Sequence, residues 1–187
     1  MKNHFLPAIK MTIICLVLCV AGYSLLVWGI AKAIGPNGGD VALLQAEGKA
    51  VGAKKVGQLF TSDRYFWGRP SAVHYNGAGS GGSNKGPFNQ DYLQVVESRI
   101  DTLLAKHLGL TRSDIPSDLV TASASGLDPH ISPEAAMIQV SRVARARSID
   151  ESRVRQLVRD HTDKPLLGLF GVPCVPVLDL NMALDQL

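Results

Sequence analysis

Apolar residues crowd the front of the chain. From Met11 to Ala31 the sequence MTIICLVLCVAGYSLLVWGIA runs 21 residues without Asp, Glu, Lys, Arg or His. As a helix it would be about 32 Å long, enough for a hydrocarbon core of about 30 Å. Lys10 and Lys32 bracket it, and Trp28 stands where an interfacial aromatic belongs. The pattern predicts one transmembrane helix over 11–32 after a short tail at 1–10, with the lipid bilayer as its solvent. Ala31-Lys32-Ala33 resembles a cleavage site, but a cleaved signal has an apolar region of only about 7–15 residues. Lys2, Lys10 and the amino terminus precede the span and only Lys32 closely follows. That bias puts the N-terminus in the cytoplasm and the remaining chain outside the membrane. Cys15, Cys19, Gly22, Leu26 and Gly29 fall at 3–4 spacing, a mostly small stripe suited to a partner helix. Small residues are also ordinary in spans, and no strict GxxxG occurs.

Beyond the span the pattern becomes that of a folded domain. Gly35-Pro36-Asn37-Gly38-Gly39 breaks the helix, so 33–49 reads as a connector and 50–187 as the soluble domain. Ala50 to Phe60 predicts a strand. Residues 61–88, rich in Gly, Ser, Asn and Pro, predict a long loop. Leu93, Val96, Ile100, Leu103 and Leu104 recur at helical spacing before Gly109. A second helix starts from Ser132 as cap and Pro133 as first residue, with Ala136, Met137, Val140, Val143 and Ala144 inside. Ser148 and Glu151 have capping-box spacing for a third, lined by Val154, Leu157 and Val158. Pro173 to Leu180 predicts a short edge strand, since Pro176 has no N–H to donate. The expected fold class is α+β, an extracytoplasmic domain preceded by a single N-terminal transmembrane helix.

Charge changes the picture only once it is located. The formal net charge is +3 and the pI about 8.8. Lys2, Lys10 and Lys32 account for all of it, so the remainder is formally neutral and no nucleic-acid partner is expected. A mean hydropathy of +0.12 combines one span with an ordinary globular domain and leaves no room for a multi-span transporter.

Candidate chemistry is sparse. Gly77, Gly79 and Gly82 fit G-x-G-x-x-G, but a dinucleotide site needs a strand before and a helix directly after. No phosphate loop of the G-x-x-x-x-G-K-[ST] type and no G-x-S-x-G elbow occurs. His74, His107, His130 and His161 are scattered and Cys174 is the one cysteine beyond the span, so no metal site is expected. Ser125, Asp128 and His130 could form a triad only by geometry that such close neighbours reach with difficulty. Six arginines lie between Arg142 and Arg159; a solvated face is the default, an acidic partner surface the functional reading.

Longer motifs carry a resemblance. Tyr65-Phe66-Trp67-Gly68-Arg69-Pro70-Ser71-Ala72, Ser80-Gly81-Gly82-Ser83-Asn84, Leu119-Val120-Thr121-Ala122-Ser123 and Ser125-Gly126-Leu127-Asp128-Pro129-His130-Ile131-Ser132-Pro133 occur in that order. With His161-Thr162 and the tail Leu180-Asn181 and Leu184-Asp185, they closely resemble the C subunit of the Kdp potassium-transporting ATPase over nearly the whole chain. One departure is Ala53 and Lys55, where that family usually has Ser and Leu. The resemblance implies a non-catalytic accessory subunit of a high-affinity potassium uptake pump. It further implies three partners: a channel-like potassium-binding subunit, a P-type ATPase catalytic subunit and a small single-span subunit. No cofactor is expected to be firmly bound, with ATP reached only through the complex. In the family the C subunit is described as a catalytic chaperone that raises the ATP affinity of the hydrolysing subunit, with Ser80, Gly81, Gly82, Ser83 and Asn84 as nucleotide contacts. The topology above argues against such contact, because ATP is scarce outside the cytoplasmic membrane. A domain acting on assembly or ion entry fits the span better. A membrane-tethered extracytoplasmic hydrolase is the alternative from another class.

Overall fold

The computed structural model describes residues 2–46 and 48–187. Met1 of the expected tail and Glu47 of the expected connector lie outside them. The chain divides into two compact units, Met1–Ala42 and Leu43–Leu187.

The first unit is one long helix and its stop. It runs as α1 (Lys2–Cys15), a π-wound stretch (Leu16–Gly22) and α2 (Tyr23–Ile34). Within it His4–Ile34, 31 residues, is long and apolar enough to cross a membrane, and none of its most apolar window is buried by protein. The helix therefore begins ahead of the 11–32 span, inside the segment read as a tail. Pro7 does not break it, because near a helix start it removes a single early hydrogen bond. Gly35 turns to extended backbone while its N–H still donates to Ala31 O (2.8 Å). Asn37 and Gly38 then adopt left-handed φ values of 53° and 62°, and Lys32 Nζ reaches Asp40 Oδ2 at 2.6 Å.

The second unit is mixed α and β. β1 (Leu43–Ala46) pairs antiparallel with β2 (Lys49–Ala53), with a register shift between Leu44 and Gln45. The strand expected over 50–60 is thus confined to Lys49–Ala53, and its partner comes from the segment read as connector. It stops because Val56 N–H turns back to Ala53 O and Gly57 lies on the Leu127–Asp128 backbone, where a Cβ would sit 2.5 Å from Asp128 O. Residues 57–89 contain no helix or strand, as the Gly/Ser/Pro content predicts.

Three helices build the core: α3 (Gln90–Lys106), α4 (Pro133–Arg147) and α5 (Glu151–Asp160). Asn89 caps α3 by accepting from Tyr92 N–H, and Ser132 caps α4 by accepting from Ala135 N–H at 3.0 Å, with Pro133 first as expected. The predicted capping box before α5 is not formed. Asp150 is the cap, accepting from Ser152 N–H (2.6 Å), and Ser148 instead ends α4 in the left-handed region at φ 58°. Three residues, Ser148, Ile149 and Asp150, separate the helices, too few for Ser148 to serve both. β3 (His130–Ile131) pairs antiparallel with β4 (Val175–Pro176). The strand expected over 173–180 ends there, and Val177–Leu184 is helix α6. Val177, Leu178, Leu180, Asn181 and Leu184 are its buried residues, a helical rather than alternating set. Ile100, Leu103, Ala136, Val140, Val143, Val154, Val158 and Leu180 fill one continuous core.

Candidate functional site

The Tyr65–Pro70 segment has no strand neighbour, yet Phe66 is fully buried. Buried backbone groups need partners, and two side-chain amides supply them. Asn181 on α6 accepts from Phe66 N–H (2.8 Å) and donates to Phe66 O (3.0 Å). Gln139 on α4 accepts from Trp67 N–H (2.8 Å) and donates to Trp67 O (3.1 Å). Each amide does for one loop residue what a neighbouring strand would do, so the loop is clamped between two helices.

Beneath it lies a buried cation. Arg142 is 2% exposed, and its guanidinium stacks 4.1 Å from the Trp67 ring centroid. It donates to Asp63 O (2.6 Å), Gln139 Oε1 (2.7 Å) and His107 Nε2 (3.1 Å). Burial holds its pKa down to about 10, with the Asp63 carboxylate pulling the other way, so it remains a cation at neutral pH. Burial also lowers the His107 pKa; its bond to Leu103 O opposes this and the Arg142 charge adds to it. His107 is therefore a neutral imidazole, assigned by its partners as Nδ1–H donating to Leu103 O and Nε2 accepting from Arg142. Asp63 is pulled below the usual carboxylate range, first by its bond to Lys106.

The loop then meets the 123–130 segment. Arg69 pairs with Asp128 at 3.0 Å, and Asp128 Oδ1 accepts from His130 N–H while standing 3.4 Å from His130 Nδ1. Ser71 Oγ donates to Gly126 O, Gly81 N–H to Ser125 O (2.9 Å) and Ser80 Oγ to the same carbonyl (3.0 Å). Gly126 sits at φ +67°, where a Cβ would lie 2.5 Å from Val73 Cγ2 and 2.8 Å from Gly81 O. Only glycine fits that crossing without strain.

An open cleft of about 770 Å³ lies beside this segment, lined among others by Arg69, Asp118, Asp128, His130, Glu134 and Cys174. At its edge the donor atoms of His130, Asp163 and Cys174 lie within 4.8 Å of one another. The scattered sequence positions gave no expectation of this, and the register explains it. Asp163 and Cys174 exchange both backbone hydrogen bonds (2.8 and 3.1 Å), and His130 opposes Pro176, two residues along from Cys174. Directly opposed residues and i, i+2 neighbours share one face.

Comparison with known proteins bears on the whole chain. A family model described as "K+-transporting ATPase, c chain" matches residues 5–186. A "Potassium-transporting ATPase KdpC subunit" of Flavobacterium johnsoniae is 52% identical over 187 residues, covering all of both chains. The chain belongs to the KdpC family. Proteins of the same name from Bacteroides thetaiotaomicron, 49% identical over all of this chain and 99% of that protein, and Geobacter metallireducens, 47% identical over 99% and 98%, extend the likeness.

The motifs that resembled the KdpC family converge in space. Tyr65, Phe66, Trp67, Gly68, Arg69 and Pro70 form the clamped loop; Gly126, Asp128, Pro129 and His130 form its neighbour; Ser80, Gly81 and Gly82 pack onto that neighbour's backbone. Gly82 would place a Cβ 3.1 Å from Ala124 O. The triad is not assembled: Ser125 Oγ accepts from Leu127 N–H instead of meeting His130. Cys15 ends α1, Cys19 and Gly22 lie in the π-wound stretch and Gly29 in α2, all exposed. The arginine group divides. Arg142 is internal, and Arg147 pairs with Asp185 at 2.5 Å and lies over the Tyr65 ring at 4.8 Å. Arg153, Arg155 and Arg159 keep the solvated face. Gln139 escaped sequence reading and Asn181 was read only as part of the family tail, although an amide on an otherwise apolar helix face was the available signal for both.

Proposed function

We propose that the chain is a membrane-anchored, non-catalytic accessory subunit of an ATP-driven potassium pump. It is held to its partners by the span and by an apolar surface on the folded unit. The observation that carries the reading is the stretch 165–173, PLLGLFGVP, which contains no polar side chain. Leu166 and Phe170 exchange backbone hydrogen bonds (2.9 and 3.0 Å), making a tight hairpin whose tip exposes Leu167 and Leu169 by about four-fifths. A contiguous apolar surface of this kind on a folded domain marks a contact site. The KdpC relatives carry the word subunit in their names, which supports a protein contact.

The expected partners are a channel-like potassium-binding subunit, a P-type ATPase catalytic subunit and a small single-span subunit. The charge bias around the span supports a cytoplasmic N-terminus and a periplasmic folded unit in the inner membrane. On that orientation the chain acts through assembly or ion entry. The Gly81 N–H and the Ser80 hydroxyl are already engaged by Ser125 O, which favours packing over nucleotide contact for the Ser80–Asn84 segment. Labelling of a Lys85→Cys variant by an impermeant thiol reagent in intact spheroplasts tests the orientation; labelling only after lysis reverses it. Affinity purification of the full chain from native membranes in mild detergent should recover a large multi-span protein and an ATPase. A Leu167→Asp/Leu169→Asp variant should recover much less of both at unchanged helicity. A chain that emerges alone in every detergent, or a variant that recovers its partners in full, overturns the reading.

A further inference from the structure

We propose that His130, Asp163 and Cys174 form a binding site for a borderline-soft divalent cation of the zinc class, which staples the root of the apolar hairpin to the β3–β4 pair. The three side chains offer one imidazole nitrogen, one carboxylate oxygen and one sulfur, all within 4.8 Å of one another. Tetrahedral zinc with bonds of about 2.0–2.3 Å separates its ligands by roughly 3.5 Å, so closure needs a movement of about 1 Å. A mixed N, O, S set selects zinc-class ions over magnesium or calcium, which prefer oxygen alone. His130 and Cys174 line the open cleft, and three protein ligands leave the fourth position to water.

The surroundings are those a metal ligand requires. His130 Nδ1 lies 3.4 Å from Asp128 Oδ1, and Arg69 holds the other Asp128 oxygen. A carboxylate behind the imidazole fixes the ring and leaves Nε2 for a cation. Cys174 is partly buried and its thiol is free of any disulfide. Backbone geometry adds rigidity, because Asp163 and Cys174 are a directly bonded cross-strand pair and His130 enters from the next strand.

The site's position gives it a consequence. Asp163 and Cys174 flank the two ends of the 164–173 segment, so a cation joining them to His130 would lock the hairpin against the sheet. This second part rests on the docking role proposed above; the metal site itself does not. The two are therefore tested separately, on the chain alone and without any partner.

The full chain with Cys15→Ser and Cys19→Ser, in detergent at neutral pH, is titrated with Co²⁺ alone. The expected result is one equivalent bound, with a thiolate-to-cobalt charge-transfer band and tetrahedral ligand-field absorption, both removed by stoichiometric Zn²⁺. Cys174→Ser should abolish the charge-transfer band, and His130→Ala or Asp163→Asn should each weaken binding about tenfold or more. Absence of the band at saturating Co²⁺, or a band unaffected by His130→Ala and Asp163→Asn, overturns the site. Zn²⁺ should also slow proteolysis within 164–173 in the parent and not in Cys174→Ser. Equal cleavage with and without Zn²⁺, where the band is present, overturns the staple.

Discussion

Replacing Gln139 with Met removes an amide of similar length from a site that is fully buried. Three bonds vanish together: those to Trp67 N–H and Trp67 O, and the acceptor for Arg142 Nη2. The fourth, from Gln139 Nε2 to Ala135 O, is redundant with the α4 ladder. Each buried group left without a partner costs about 1–3 kcal/mol. Two backbone groups and one guanidinium N–H then sum to roughly 3–9 kcal/mol, of which methionine's apolar burial returns about 1–2 kcal/mol. A net loss of at least about 1 kcal/mol, and as much as about 8 kcal/mol, follows from those terms. Urea unfolding of the full chain in detergent, followed by Trp67 fluorescence in a Trp28→Phe background, reads this directly. Gln156→Met, on the exposed face of α5, is the control and should shift stability by no more than about 0.5 kcal/mol. A Gln139→Met loss below about 1 kcal/mol would refute the claim that a side-chain amide substitutes for a strand at this loop.

Two further outcomes follow from the same region. Because burial lowers the His107 pKa, the unfolded chain takes up its proton first; the contribution is whole above the ordinary value of about 6.5 and is lost as pH falls through the lowered folded value. Urea midpoints should therefore drop between neutral and mildly acidic pH, and His107→Gln should flatten that slope; an unchanged slope would exclude His107 as its source. Gly126→Ala combines a left-handed backbone with contacts at 2.5 and 2.8 Å and should cost about 2–4 kcal/mol. Gly109→Ala, at φ +78° in open space, should cost about 1 kcal/mol; equal losses on thermal melting would show that the Gly126 crossing is not the constraint.

The legibility of the fold tracked how local its causes are. The span, Ser132 as cap, Pro133 as first residue and the inner face of α4 each depend on residues within one or two turns, and the pattern contained them. Ser148 misled because its spacing to Glu151 suits a capping box, while the structure uses it one step earlier, to end α4. Val177–Leu184 misled because apolar residues beside two prolines read alike for strand and helix; burial on one helical face decides it. Arg142 was grouped with solvated neighbours, since nothing local distinguishes a buried arginine from an exposed one. Its partners, Asp63 and His107, are 79 and 35 positions away.

The candidate sites divide in the same way. The family motifs were readable as words, but their physical meaning was not, because each is half of a pair whose other half is remote. Phe66 and Trp67 make sense only against Asn181 and Gln139, at separations of 115 and 72 residues. The motif around Gly126 makes sense only against Val73 and Gly81. A loop with no strand partner, held by side-chain amides and a buried guanidinium, is ordered without being part of a sheet. Such a loop can hold the 123–130 segment in fixed register with β3 and β4, and it is this register that brings His130 beside Cys174 and Asp163. The hairpin at 165–173 grows from that same root, so the rigidity of the clamped loop and the aim of the exposed leucines are linked through a few backbone pairs. A substitution that loosens Gln139 or Gly126 should therefore weaken partner recovery even though neither residue lies on the exposed surface.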